Sequence, residues 1–149
     1  MMKPLLVVFS VVVCSLTVGC QGRGSSDVAR TGSAVGEDVP SVTAYYFHRT
    51  ARCPACLGIE VRAAEAIEKH FAEELGDGRL VWMPFNLDEP GGEAYEKEFD
   101  LHFNSLVLSR TEGGRRVKHR TLDKVWSLAG DGVQFEEYVK NEVERFLDE

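Results

Sequence analysis

The chain has 149 residues, 44% of them hydrophobic and 28% charged, with a formal charge of −7 at pH 7. That length allows one domain beyond any targeting segment, and the apolar content is enough for a packed core. The acidic balance argues against nucleic acid as a partner. Lys3 is the only charged side chain among residues 1–19, so a domain without them would carry −8.

Residues 1–19 read as a secretory signal. Lys3 is a thin positive start, residues 5–13 are apolar, the run continues with breaks to Val18, and the small Gly19 precedes Cys20. The sixteen residues between Lys3 and Cys20 fall short of the ~20 that span a bilayer. Leu16-Thr17-Val18-Gly19-Cys20 resembles the lipobox of bacterial lipoproteins, apart from Thr17 where Leu is usual. The resemblance implies lipidation of Cys20 and an exported protein held on a membrane, facing the periplasm or the cell exterior. Several acyl chains would anchor it firmly, because one chain alone binds a bilayer only marginally. An uncleaved signal anchor and simple secretion are the competing readings. Residues 20–41 follow as a flexible tether, rich in Gly, Ser and polar residues with no apolar period.

A domain is expected over residues 42–149. Residues 42–47 have strand composition, and their unbroken apolar run suits a central strand. A helix is predicted from Cys53 to about Leu75. Its apolar face carries Cys56, Ile59, Ala63, Ile67 and Phe71, and Gly76-Asp77-Gly78 ends it. Residues 80–87 form a second strand, in which Pro84 argues for an edge, a bulge or an early end. After a turn-rich stretch at 88–92, residues 93–100 give a short helix with Tyr95 and Phe99 on one side. Residues 105–109 and 115–121 are the third and fourth strands around a turn at 111–114. Residues 122–128 form a short packing segment. Residues 133–147 are a last amphipathic helix, with Phe135, Val139 and Val143 on one face. The order is β-α-β-α-β-β-α. Helices separate the early strands, so those are expected to pair in parallel, and the last two should form an antiparallel hairpin.

Cys53-Pro54-Ala55-Cys56 falls between the first strand and the first helix, where a thioredoxin-like redox site needs its Cys-x-x-Cys pair. The fold class is therefore α/β and thioredoxin-like, a mixed sheet of about four strands with flanking helices. Cys53 would sit at the helix N-cap, where free N–H groups and the helix dipole favour negative charge. That placement acidifies the thiol and activates it. Pro54 at N1 does not miss its N–H. Cys56, one turn on, would be the more buried sulfur that resolves a mixed disulfide. Arg49 and Arg52 add positive charge nearby, Arg52 being the better placed to tune the sulfur. His48 is a candidate proton relay, and Glu60 a candidate acceptor for the proton of Cys56; each also reads as an ordinary surface residue, Glu60 as an acid paired with an arginine. Two alternatives for the pair are a half zinc site, which lacks the usual four ligands, and a purely structural bridge, which would restrict little of the unfolded chain across so short a loop. Cys14 leaves with the signal and Cys20 is taken by lipid, so Cys53 and Cys56 remain as the pair free to form a disulfide outside the cytosol.

Tyr45-Tyr46-Phe47-His48, Thr50, Arg52, Cys53, Cys56 and Ile59-Glu60 resemble the small thioredoxin-like lipoproteins of the ArsF family. So do Asn86-Leu87-Asp88, Ser105-Leu106-Val107-Leu108 and Leu122-Asp123-Lys124-Val125-Trp126. This resemblance implies a subunit of a nitrophenyl-compound nitroreductase linked to arsenic resistance, beside a membrane permease. Where thioredoxins place a cis-proline before the strand after the second helix, this chain has Ser105, which leaves the sulfurs less shielded from a small soft ligand. No flavin motif is visible, so no cofactor beyond the redox disulfide is expected. Nitro reduction would then need a separate reductase subunit or an external membrane electron donor.

Three functions follow. The first is a thiol–disulfide electron carrier. The second is a vicinal-dithiol module that binds As(III) or Cu(I) through Cys53 and Cys56. The third is an anchored interaction domain, in which Arg110, Arg115, Arg116, Lys118, His119 and Arg120 form a basic hairpin that is either a solvated face or a dock for an acidic partner or lipid headgroups.

Overall fold

The computed structural model describes residues 41–149, so the expected signal, the expected lipidation at Cys20 and nearly all of the expected tether lie outside the described residues. The elements are β1 (Ser41–His48), α1 (Pro54–His70), α2 (Ala72–Asp77), β2 (Leu80–Asn86), α3 (Gly92–Phe99), β3 (Ser105–Glu112), β4 (Arg115–Thr121), a 3-10 turn (Asp123–Val125) and α4 (Gly132–Asp148). The four strands form one sheet in the order β2-β1-β3-β4. β1 is central, and both its faces are buried. Val42, Ala44 and Tyr46 join Leu106 and Leu108 of β3 in a core with α1 and α4. Tyr45 and Phe47 point the other way and pack with Val107, Leu87, Leu101 and Phe99 of α3. Alternation in a strand sends neighbouring residues to opposite faces, so a strand covered on both sides reads as one apolar run.

Two expectations are corrected. The first helix does not run through to Leu75. Phe71 leaves helical geometry (φ −131°, ψ 35°) and is buried in the core, and the separate α2 starts after it with Glu73 and Glu74 in its first turn, where carboxylates suit a new helix N-terminus. The early strands are not all parallel either. β1 and β2 are parallel, but β3 lies on the other side of β1 and runs antiparallel to it. The cause is the length of α3. Its 8 residues rise only about 12 Å, too little to carry the chain back along a 7-residue strand of roughly 23 Å. The chain therefore re-enters the sheet at the end where it left, and β3 runs backwards. β3 is also longer than expected, reaching Glu112, and Gly113-Gly114 alone make the turn, both with positive φ. Pro84 lies on β2, an edge strand, where a missing N–H is tolerated.

This topology gathers one end of every strand. His48 pairs with Asn86, Phe47 with Ser105 and Val107 with Thr121, so the C-terminal ends of β1, β2 and β4 and the start of β3 share a pole of the domain. The Cys-x-x-Cys segment leaves β1 there.

Candidate functional site

Cys53 is the N-cap of α1, in extended geometry (φ −85°, ψ 157°), and Pro54 occupies the first turn. Cys53 and Cys56 form a disulfide, with Cα atoms 5.1 Å apart. The Cys56 backbone N–H donates to Cys53 Sγ at 3.1 Å. Cys53 is exposed, whereas Cys56 is 7% exposed. The first turn of α1 carries no acidic residue that would oppose negative charge on the sulfur. Exposed Leu57 and Val61 continue from Cys53 along α1, and exposed Phe103 meets Trp126 edge-on at 6.3 Å.

Arg52 and Glu60 are brought together as a half-buried ion pair, Nη2 to Oε2 at 2.6 Å. The pair joins the residue before Cys53 to the residue one turn past Cys56. His48 stands at the end of β1 with its Nδ1 3.0 Å from the Arg49 carbonyl. Arg49 is not a free charge beside the sulfurs. It binds Asp88 at 3.1 Å and also Glu96.

That arginine belongs to a latch between the two loops at the pole. The Thr50 N–H donates to Asp88 Oδ2 at 2.7 Å, the Asn86 side-chain amide to Thr50 Oγ1 at 3.0 Å, and the Leu87 N–H to the His48 carbonyl at 2.7 Å. These bonds hold the Asp88 carboxyl below its ordinary pKa, the Thr50 N–H foremost and then the Arg49 guanidinium. A carboxylate with a depressed pKa stabilises the fold above its unfolded pKa, and that contribution is lost as pH falls through the folded value. The latch should therefore be intact at neutral pH and open only once the pH falls below the ordinary carboxylate range, through the depressed folded value of Asp88. Amide exchange at Thr50, followed from pH 6 to 3, should show its protection drop steeply at the acid end. In Asp88→Ala, which removes the acceptor, that step should vanish, with protection already low at pH 6.

Sequence reasoning missed Tyr46, Asn104 and Trp126. Tyr46, fully buried in β1, donates its hydroxyl to the Cys56 carbonyl oxygen at 2.7 Å. Burial, reinforced by the Glu60 carboxylate, pushes its pKa up to about 12, against the opposite pull of Arg52 and of a hydrogen bond with Asn104. Asn104 is buried in turn, and its carbonyl accepts from Trp126 Nε1 at 3.1 Å. In the structure Tyr46 shares the α1 face of β1 with Val42 and Ala44, an assignment that the unbroken apolar run of residues 42–47 does not make. Ser105, also buried, turns its hydroxyl to the Phe103 carbonyl at 2.9 Å.

Much of the basic hairpin is neutralised within the chain. Arg116 pairs with Glu98 and stacks 4.9 Å from the Tyr95 ring centre. Lys118 and Arg120 both hold Glu149, whose carboxyl they lower to about 2, and Arg120 also reaches Glu142 at 3.3 Å. Arg110 donates to the carbonyls of Phe146 and Leu147 near the end of α4. Among the described residues no group of three or more His, Cys, Asp and Glu is arranged to hold a metal ion, so Cys53 and Cys56 find no further zinc ligands there. No helix among them is long and apolar enough to cross a membrane.

A parallel β1–β2 pair, an antiparallel β3–β4 hairpin, helices on both faces and a Cys-x-x-Cys disulfide at the β1–α1 junction define a thioredoxin-like domain with a thiol–disulfide site. No protein-family model and no curated protein matches the sequence. Among solved structures, the chain is similar to thioredoxin O2 from Arabidopsis thaliana in the oxidized state, at 17% identity and a TM-score of 0.38, over 64% of this chain and 76% of that one. It is also similar to a malarial protein, at 13% identity and a TM-score of 0.37, over 62% of this chain and 98% of that one.

Proposed function

We propose that this protein carries electrons by thiol–disulfide exchange, with Cys53 attacking and Cys56 resolving. The supporting observation is the asymmetry of the pair. Cys53 is exposed at the start of α1 and accepts the Cys56 N–H, while Cys56 is enclosed. In the reduced protein the Cys53 thiolate attacks one sulfur of a partner disulfide, forming a mixed disulfide and expelling the partner's other sulfur as a thiolate. Cys56, as its thiolate, then attacks Cys53 Sγ. The ring closes, the second partner sulfur leaves, and two electrons have passed to the partner. Glu60 takes the Cys56 proton in this scheme, and Arg52, ion-paired with it, favours the thiolate. His48 is assigned no step, because its ring nitrogen faces the Arg49 carbonyl.

The finer reading is an exported carrier lipidated at Cys20, working as an ArsF-like subunit beside a membrane electron donor or permease, with a separate reductase subunit handling nitroaromatic arsenicals. It rests on the lipobox-like run ending at Cys20 and on the residues from Tyr45 to Glu60 that resemble that family. A second reading is favoured by the short spacing of the two cysteines and by Ser105 at the head of β3: the reduced pair chelates a soft ion such as As(III) or Cu(I). Redox titration separates the two, since a pure binder would reduce no disulfide substrate.

The carrier reading is tested by alkylation of the reduced protein across pH. Cys53 should react with a midpoint at least one unit below the ~8.5 of a free cysteine, because the helix N-terminus favours its thiolate. A midpoint at the free value would overturn the assignment of Cys53 as nucleophile.

A further inference from the structure

We propose that Tyr46 is the positioning residue of the resolving cysteine: its hydroxyl holds the Cys56 backbone, and with it the Cys56 sulfur, poised against Cys53 while the disulfide is open. The inference rests on the exchange mechanism above and assigns to β1 a part in it.

A Cys-x-x-Cys pair has to keep its second sulfur close once the S–S bond is broken. Otherwise the mixed disulfide persists and ring closure becomes slow. The disulfide itself cannot do this, since it is absent at that stage. The Tyr46 bond can, because it ends on the Cys56 carbonyl oxygen at 2.7 Å and not on a sulfur. The carbonyl has two lone pairs, so it can accept the phenol and the helical N–H four residues on. The direction of the bond is fixed. A carbonyl only accepts, and the phenol, with its pKa near 12, keeps its proton at neutral pH.

The donor is itself rigid. Tyr46 is fully buried in the central strand, between β2 and β3. Asn104 lies beside its hydroxyl, and Trp126 bonds the Asn104 carbonyl. A tyrosine locked in this way has little freedom to lose when it holds another group. It joins the first turn of α1 to the sheet at the residue whose sulfur must not drift. The same feature sets Tyr46 apart from a proton acceptor. Its oxygen is already protonated and its hydrogen is committed to a backbone carbonyl, which leaves proton removal from Cys56 to Glu60.

The test is Tyr46→Phe, which keeps the ring and removes one oxygen. Three quantities are measured on wild type and variant: alkylation of Cys53 in the reduced protein, the rate at which a preformed mixed disulfide on Cys53 is resolved, and the reduction potential. Cys53 alkylation should stay within about twofold, because the N-cap contact with the Cys56 N–H is untouched. Resolution should slow roughly five- to tenfold, the Boltzmann weight of one hydrogen bond of about 1 kcal/mol. Ring closure should weaken by the same factor, raising the potential by roughly 20–30 mV. Val139→Ala, a cavity in the buried face of α4, is the control for lost stability and should move none of the three. Unchanged resolution in Tyr46→Phe, or an equal slowing in Val139→Ala, would overturn the proposal. A second measurement needs no variant. With a 13C label on the Cys56 carbonyl, its infrared band should keep the low frequency of a doubly hydrogen-bonded carbonyl when the protein is reduced. A rise on reduction would mean that the bond opens with the disulfide, and would also overturn the proposal. If wild type formed no mixed disulfide at all, the exchange mechanism would fail first, a result distinct from either of these.

Discussion

Cys56→Ser should leave the protein covalently joined to its partner, while Cys53→Ala should not join it at all. The first variant keeps the exposed sulfur at the N-cap of α1 but removes the second nucleophile, so a partner attached to Cys53 has no internal route of release. Adducts should accumulate in cells, resist alkylating quench, and collapse with added dithiol. The second variant leaves only a sulfur that is 7% exposed, beyond the reach of a partner disulfide. Turnover of a disulfide substrate should fall by on the order of 10³-fold or more, the scale of losing an essential nucleophile. Non-reducing electrophoresis followed by identification of the trapped species reads the first outcome, and a disulfide-reduction assay the second. Equal trapping through Cys56 in Cys53→Ala would reverse the two roles.

Gly92→Ala, at the first residue of α3, should cost more than alanine at the glycines whose Cβ would meet open space. A Cβ at Gly92 would sit 1.9 Å from the Leu87 carbonyl oxygen and 2.6 Å from its carbon. Those are backbone atoms and cannot swing aside as a side-chain tip would. Gly91 before it has a φ of +97°, a conformation that only glycine adopts freely. α3 thus starts in a corner where one glycine supplies the turn and the next supplies the room. Either the helix start or the Leu87 peptide must move, and Leu87 belongs to the core under Phe47 and Phe99. Overpacking of this kind costs about 2–3 kcal/mol, which for a domain of this size is a fall in Tm of roughly 10 °C or more. Thermal unfolding followed by circular dichroism measures it. A shift of under 2 °C would mean that α3 is free to slide.

Much of the architecture was legible because it depends on local pattern. The apolar run of β1, the three- and four-residue spacing along α1 and α4, and the Gly pairs at the turns each report a backbone choice made within a few residues. The Cys-x-x-Cys pair carried its own placement, since Pro54 at the first helical position and an apolar strand just before it fit only one junction. What could not be read was set by distance through the fold. The reversal of β3 follows from how far α3 can reach, not from any residue in β3. The break at Phe71 is decided by the core that buries it, against a helical pattern that ran straight on. Arg49 read as a charge for the sulfurs because its partners, Asp88 and Glu96, lie some forty residues away. Tyr46 was visible as a strand residue, but nothing in the sequence said that its hydroxyl meets Cys56.

The unequal exposure of the two sulfurs also bears on survival under oxidative attack. Hydrogen peroxide can reach the outer sulfur and convert its thiolate to a sulfenic acid, the last stage from which a cysteine recovers readily. The sheltered thiol one turn away then condenses with it, expelling water and restoring the ring before a second peroxide can drive the sulfur to the sulfinic state. On the proposed exchange mechanism, the geometry that passes electrons would also turn a damaging oxidant into one more round of the same cycle.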